Sequence, residues 1–214
     1  MTYLQLVNEV LSRLRESSVA SVTTNAYSTL IGRYVNDAKR QVEDAWDWDC
    51  LYTTITVNTV GGTSNYTVTG SGLRPKKAVI NDTTNLHELI NLPRQTVLNW
   101  QQQAAAIGGI SAYYAWAGTD GTDSKIELYP TPAGIYSLRV NAYIPQAILS
   151  SDSDVLTIPH EAVVAGAYAR ALVERGEDGG LSSGEAYGLY KGILADHIAL
   201  DAMRQVENDC WIAT

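Results

Sequence analysis

The sequence predicts an α+β fold: a four-helix bundle formed by N- and C-terminal helix pairs, with an antiparallel β-rich domain inserted between them. Three observations predict it. Apolar residues recur at spacings of three and four near both chain ends, the period of a helix with one buried face. In the middle, Thr, Val and Tyr alternate, the period of a strand. Two amphipathic helices alone leave much apolar surface in water, so the pairs from the two ends are expected to meet, bringing the ends of the insert together. The expected boundaries are 1–49 and 157–207 for the bundle, 50–156 for the insert and 208–214 for a C-terminal tail.

Leu4, Val7, Leu11 and Leu14 form the first stripe and predict a helix from Tyr3 to Glu16. After a Ser/Thr-rich break at Ser17 to Asn25, a long second helix carries Tyr27, Ile31, Tyr34, Ala38, Val42 and Ala45, closed by Trp46 and Trp48. Tyr52-Thr-Thr-Ile-Thr-Val57, Gly61-Gly62 and Tyr66-Thr-Val68 read as strand, turn and strand. Further strands are expected at Ala78 to Ile80, Ser111 to Trp116, Lys125 to Tyr129 and Tyr136 to Ile144. The last two read as a hairpin, because Pro130, Pro132 and Gly134 bar continuation of either strand. Arg94 to Ala106 reads as a short helix that stops at Gly108-Gly109.

Ser150 to Asp154 is a polar linker. Pro159 suits the first turn of the next helix, where its missing N–H has no partner to lose, and Glu161 complements the positive helix end. That helix runs through Val163, Ala167, Ala171 and Leu172 to Gly176. Beyond Gly179-Gly180, Ser182 and Glu185 stand at capping-box spacing and open a fourth helix with Leu189, Ile193, Leu200 and Met203 on one stripe.

Composition narrows the function. A chain of 214 residues, 45% of them hydrophobic, can bury a core in one domain or two small ones. Its net charge of -8 argues against gripping phosphates, which needs clustered Lys and Arg. Cys50 and Cys210 are too few for a disulfide framework, and no N-terminal charged-then-apolar stretch appears, so a reducing cytoplasm is expected. No apolar run approaches the roughly 20 residues that span a bilayer, so no membrane role is expected. The Asn-x-Ser/Thr matches at Asn65 and Asn81 then read as chance.

Short catalytic patterns fail on context. Gly180-Leu-Ser182-Ser-Gly184 matches a nucleophile elbow, but it lies between two expected helices instead of after a strand. His160-Glu161 opens like a zinc-protease helix, yet position 164 is Val164, not a second His. Asp47 with Asp49, Asp120 with Asp123 and Asp152 with Asp154 lack calcium-loop spacing and read as loop and helix-end residues. His87, His160 and His197 are spread over different elements. Gly70-Ser-Gly72 has no Lys-Ser/Thr after it, and Arg74-Pro-Lys76-Lys77 reads as solvated surface. No catalytic, cofactor-binding or metal-binding residues are assigned, no cofactor is expected, and the chain is read as a non-enzyme. The remote alternative is a small serine hydrolase using Ser182 and His197. What remains is 13 Tyr and 5 Trp with no Phe, the aromatics that suit half-buried interfaces. Cys210-Trp-Ile212 would expose a large apolar group near a chain end unless a partner covers it.

The order of these features resembles the head-to-tail adaptor (connector) proteins of tailed bacteriophages, including the tail tubular protein A type. The residues that carry the resemblance span nearly the whole chain. They are the opening Tyr3-Leu4-Gln5-Leu6-Val7-Asn8-Glu9-Val10-Leu11, the Trp46-Asp-Trp48 close of the second helix, Leu128-Tyr-Pro130-Thr-Pro132 before Tyr136-Ser-Leu-Arg-Val140, and Ile158-Pro159-His-Glu161 before an Ala-rich helix. The resemblance implies a structural subunit of a homo-oligomeric, dodecameric ring between the portal protein and a tail nozzle or tube protein. It further implies a helical bundle facing the portal, a β domain facing the tail, and DNA passing through the channel at ejection without specific binding. The protein would be made in the host bacterial cytoplasm and reside in the virion neck. A C-terminal tail reaching the portal is also implied, which assigns Asn208, Asp209, Cys210, Trp211, Ile212, Ala213 and Thr214 to portal contact. The alternative reading is a neck stopper, terminator or tail-completion protein of other symmetry.

Overall fold

A computed structural model describes residues 1–103, 108–176 and 183–204. Among them the elements run α1 (Tyr3–Arg13), α2 (Ala26–Ala45), β1 (Tyr52–Asn58), β2 (Asn65–Thr67), β3 (Lys76–Asp82), β4 (His87–Asn91), α3 (Arg94–Gln103), β5 (Gly108–Gly109), β6 (Tyr113–Thr119), β7 (Ser124–Tyr129), β8 (Thr131–Pro132), β9 (Ser137–Tyr143), α4 (His160–Arg175) and α5 (Ser183–Ala202). The chain divides into two compact units, Met1–Cys50 with Gln146–Thr214, and Leu51–Pro145.

In the helical unit, α1 begins with a reciprocal cap in which Gln5 N–H donates to Thr2 Oγ1 and Thr2 N–H to Gln5 Oε1. Asn25 and Ser28 repeat the device at the start of α2. The buried stripes are Leu6, Val7, Val10 and Leu11 on α1, and Ile31, Val35, Ala38 and Val42 on α2. α4 is different: Ala162 to Ala167 are all buried without a break, so this stretch of the helix has no solvent face. Its small residues let other helices come close. A Cβ on Gly166 would stand 3.1 Å from Tyr190 Cε2 and 3.2 Å from Ala38 Cβ, closer than ordinary contact, so its neighbours would have to give by a few tenths of an ångström.

This packing corrects the expected architecture. The fold is α+β as expected, but it is not a four-helix bundle with an inserted domain: it has five helices and a large, curled seven-stranded sheet. The helix pairings are α1 with α2, α1 with α4, α2 with α4, and α4 with α5, and α5 has no comparable pairing with α1 or α2. A bundle ring needs each helix to bury one stripe between two neighbours. Here the all-apolar α4 takes the middle and α5 docks on it alone, burying only Ala186 and Tyr190.

The segment before α4 is held by polar groups on α2. Lys39 Nζ lies 2.9 Å from Glu43 Oε1, with both side chains 3% exposed. Lys39 also donates to the Gln146 carbonyl at 2.6 Å, and Gln146 N–H donates to Glu43 at 3.1 Å. One turn earlier, Asn36 receives Leu149 N–H and donates to the Leu149 carbonyl, each at 3.0 Å. Burial pushes the Glu43 carboxyl above its ordinary range, opposed by the Lys39 ammonium and the Gln146 N–H. Next, Tyr3 N–H donates to the Asp154 carbonyl and Leu156 N–H to the Met1 carbonyl, stitching the linker to the N-terminus. Backbone N–H groups of Ser151 and Ser150 hold the Asp154 carboxyl below its usual range.

In the second unit the sheet order is β1-β9-β3-β4-β6-β7-β2, antiparallel except for β4 with β6, and β5 pairs with β8 in a separate parallel ribbon. Val57, Ile80, Leu89, Tyr114, Ile126, Leu128, Leu138 and Val140 form one core, drawing on strands from across the order, which requires the sheet to curl around it. The buried Tyr114 hydroxyl finds a partner in the Ala78 carbonyl at 2.9 Å. The expected local hairpins do not form. β1 pairs with β9 and β2 with β7, and β7 and β9 are not partners of each other. Turn residues end a strand but leave its partner open; the shared core selects it. β4 was not expected, and its burial pattern shows why, since only Leu89 is buried. α3 lays Val97 onto the sheet and Trp100 against Tyr113 and Tyr129, each with ring centroids 5.3 Å apart. The expected end of this helix at Ala106 lies outside the described residues.

Removing one member of the buried pair strands the other, so Glu43→Ala is expected to cost about 3–5 kcal/mol in urea unfolding. Because the folded Glu43 pKa is raised, its contribution is fully present below the unfolded carboxylate pKa. It is lost as pH rises through the folded value, and Glu43→Gln should flatten that part of a stability-versus-pH curve. Gly166→Val overpacks the contact of three helices and is expected to lower stability by about 1–3 kcal/mol.

Candidate functional site

Titratable groups gather where α4 begins and α5 ends. His160 and Glu161 open α4, and α5 brings His197 alongside, so that His160 Nδ1 and His197 Nε2 each lie 3.4 Å from Glu161 Oε2. Glu161 is half exposed, and water screens these pairings. One turn further along α5, Asp201 Oδ2 accepts the Trp46 indole N–H at 2.9 Å and the Asp49 N–H at 3.3 Å. A cleft of about 320 Å³ lies beside it, lined by Trp48, Cys50, Ile158, Pro159, Asp201 and Arg204. Burial, then the negative charge of Asp201, pushes the Cys50 thiol up, which disfavours the nucleophilic thiolate. Among the described residues no group of three His, Cys, Asp or Glu side chains is placed to hold a metal ion.

The carboxylates singled out in sequence hold loops. Asp120 accepts the N–H groups of Thr122 and Asp123, and Asp123 accepts those of Gly70 and Gly72 at 3.0 and 2.9 Å. Asp152 accepts Val22 N–H at 3.0 Å. His87 Nε2 sits 2.8 Å from the Ser111 carbonyl, in the other unit from His160 and His197. Ser182 and Gly180 lie outside the described residues. So do Asn208, Asp209, Cys210, Trp211, Ile212, Ala213 and Thr214.

The surface of α5 offers a different kind of site. Its buried stripe runs through Ala186 and Tyr190 onto α4, with His197 and Asp201 continuing it. A second stripe, Leu189, Ile193, Asp196, Leu200 and Met203, has the four-three spacing of a helix-docking seam. Most of it is left in water: Leu189 is 55%, Leu200 61% and Met203 81% exposed, while Ile193 is half-buried. In sequence, Leu189, Ile193, Leu200 and Met203 read as one stripe of the fourth bundle helix. The missed signal was Gly166 on α4, a notch that admits the Tyr190 ring and so rotates α5 onto its smaller stripe. What this arrangement offers is contact with another apolar surface.

Comparison with protein families matches residues 1–209 to the family described as SU10 adaptor protein. No curated protein matches the chain.

The two stripes of α5 should separate in mutagenesis. Leu200→Ser with Met203→Ser is expected to leave the thermal stability of the isolated chain within about 0.5 kcal/mol, as surface changes do. Among the described residues the buried Tyr190 hydroxyl has no hydrogen-bond partner, and burial raises its pKa. Tyr190→Phe is therefore expected to hold or raise stability, by up to about 1 kcal/mol, in the same melts.

Proposed function

The chain belongs to the SU10 adaptor protein family of phage head-to-tail adaptors, and on that premise we propose that it is one subunit of a ring that joins the portal protein to the tail and lines the DNA channel. The single observation that carries this is the extent of the match, which covers both compact units. A structural role in the phage virion follows from the family itself, as does work alongside portal and tail proteins at the virion neck. The ring, its twelve copies and the conduit are the proposal.

Two physical features favour it. The uncovered α5 stripe is a surface that a single chain exposes at a cost and that assembly would cover. The net charge of -8 repels duplex phosphates, so DNA would slide through such a ring without sticking. Within this reading, Asn208 to Thr214, with Trp211 as the largest apolar group, reach the portal.

Mixing the protein with its purified portal and imaging the product by electron microscopy tests partner, stoichiometry and orientation together. A ring of adaptor on the tail-facing end of the portal is expected, and purified portal left bare after mixing would sink the reading. Deleting 208–214 should leave the melting temperature unchanged while weakening capture by the portal at least tenfold, and unchanged capture would remove the tail assignment.

A further inference from the structure

β1 closes one end of the sheet order and pairs on one side only, with β9. Its register runs from Tyr52 opposite Tyr143 to Asn58 opposite Ser137. On either side of it, the Ile144 N–H bonds to the Leu51 carbonyl and the Thr59 N–H to the Tyr136 carbonyl, both at 2.9 Å. Antiparallel ladders alternate, so Thr53, Ile55 and Val57 carry the bonds to β9. Tyr52, Thr54, Thr56 and Asn58 turn their backbone N–H and C=O groups outward, where no described strand pairs with them. Such edges are ordinarily blunted by charge, proline, bulges or shortness. β1 has seven residues, no charge and no proline, and its pairing with β9 is unbroken by a bulge. Tyr52, Thr53, Thr54, Thr56 and Asn58 are all exposed.

The opposite edge, β2, has only three residues. Extending the sheet head to tail from one copy to the next would therefore cover less than half of β1. Two-fold pairing of β1 with itself covers all of it. With the axis at Ile55, the outward groups of Thr54 meet those of Thr56 in the second copy, and Tyr52 meets Asn58. Ile55 faces Ile55, and Thr53 faces Val57, as the intervening close pairs. Every opposed pair is uncharged, and the two central kinds of pair are β-branched on both sides, which favours strand pairing.

We propose that two copies of the free chain pair antiparallel through β1, with the two-fold axis at Ile55. A two-fold contact joins two copies and cannot propagate around a ring. The pairing therefore belongs to the protein before assembly, and it stands or falls independently of the adaptor reading.

Sedimentation of the purified chain should show a concentration-dependent monomer–dimer equilibrium. In a Cys50→Ser, Cys210→Ser background, Ile55→Cys should form a disulfide dimer under mild oxidation, because close antiparallel pairs put Cα atoms about 4.5 Å apart. Thr53→Cys should not, since that residue faces Val57 in the second copy. Mixing Thr54→Cys chains with Thr56→Cys chains should give the mixed disulfide without touching the core. Thr56→Pro removes only an outward N–H and should weaken dimerisation at least tenfold. A chain monomeric at every concentration, equal cross-linking by Thr53→Cys, or undiminished dimerisation of Thr56→Pro would each overturn the proposal.

Discussion

The helical unit depends on an ion pair that water does not reach. Lys39 and Glu43 stand one turn apart on α2, both buried, and taking such a pair out of water costs free energy that further hydrogen bonds must offset. Each also bonds the backbone of Gln146, the first residue of the segment that returns to the helices. Asn36 repeats the arrangement on Leu149, and the three side chains share one face of α2 because they are spaced by three and four. The returning segment is thus fixed by polar contacts just ahead of α4 in the chain, and α4 packs against both α1 and α2.

That placement explains the composition of α4 and α5. A helix with neighbours on several sides cannot carry large side chains everywhere, and α4 uses Ala162, Ala165, Gly166, Ala167 and Ala169 where others come close. α5 is apolar on more than one side. Tyr190 fills the notch at Gly166, and Leu189, Leu200 and Met203 remain outside. For a protein that acted alone, that second stripe would be an aggregation hazard; for a subunit of an assembly it is contact surface. Among the polar residues, Asp123 and Asp152 accept backbone N–H groups of loops distant in sequence.

How much was legible in the sequence differs from element to element. Helices α1, α2, α4 and α5 follow from the spacing of their apolar residues, and Pro159 and Gly176 bracket α4 as their backbone preferences require. Strands β1, β7 and β9 follow from alternation. β4 did not, because a strand lying mostly at the surface has too few buried residues to show a period. The hairpin expected across Pro130 and Pro132 failed for another reason: prolines say where a strand stops but not what it pairs with, and β7 lies between β6 and β2 while β9 lies between β1 and β3. The choice of Tyr190 over Leu189 and Leu200 as the buried stripe of α5 rested on a glycine in a different helix.

The sequence by itself determined the kinds of element, their order and their ends, because these follow from the local preferences of each backbone and the period of its side chains. It also determined the family, since that pattern extends over both units. Only the tertiary structure decided that α4 is central instead of one of four equal helices, which strands share a ladder, and which face of α5 meets water. Those outcomes turn on contacts between residues far apart in the chain, such as Gly166 with Tyr190, Lys39 with Gln146 and Ile55 with Val140. Their free energies depend on the fit of two surfaces at once, and no spacing within either segment records the shape of the other.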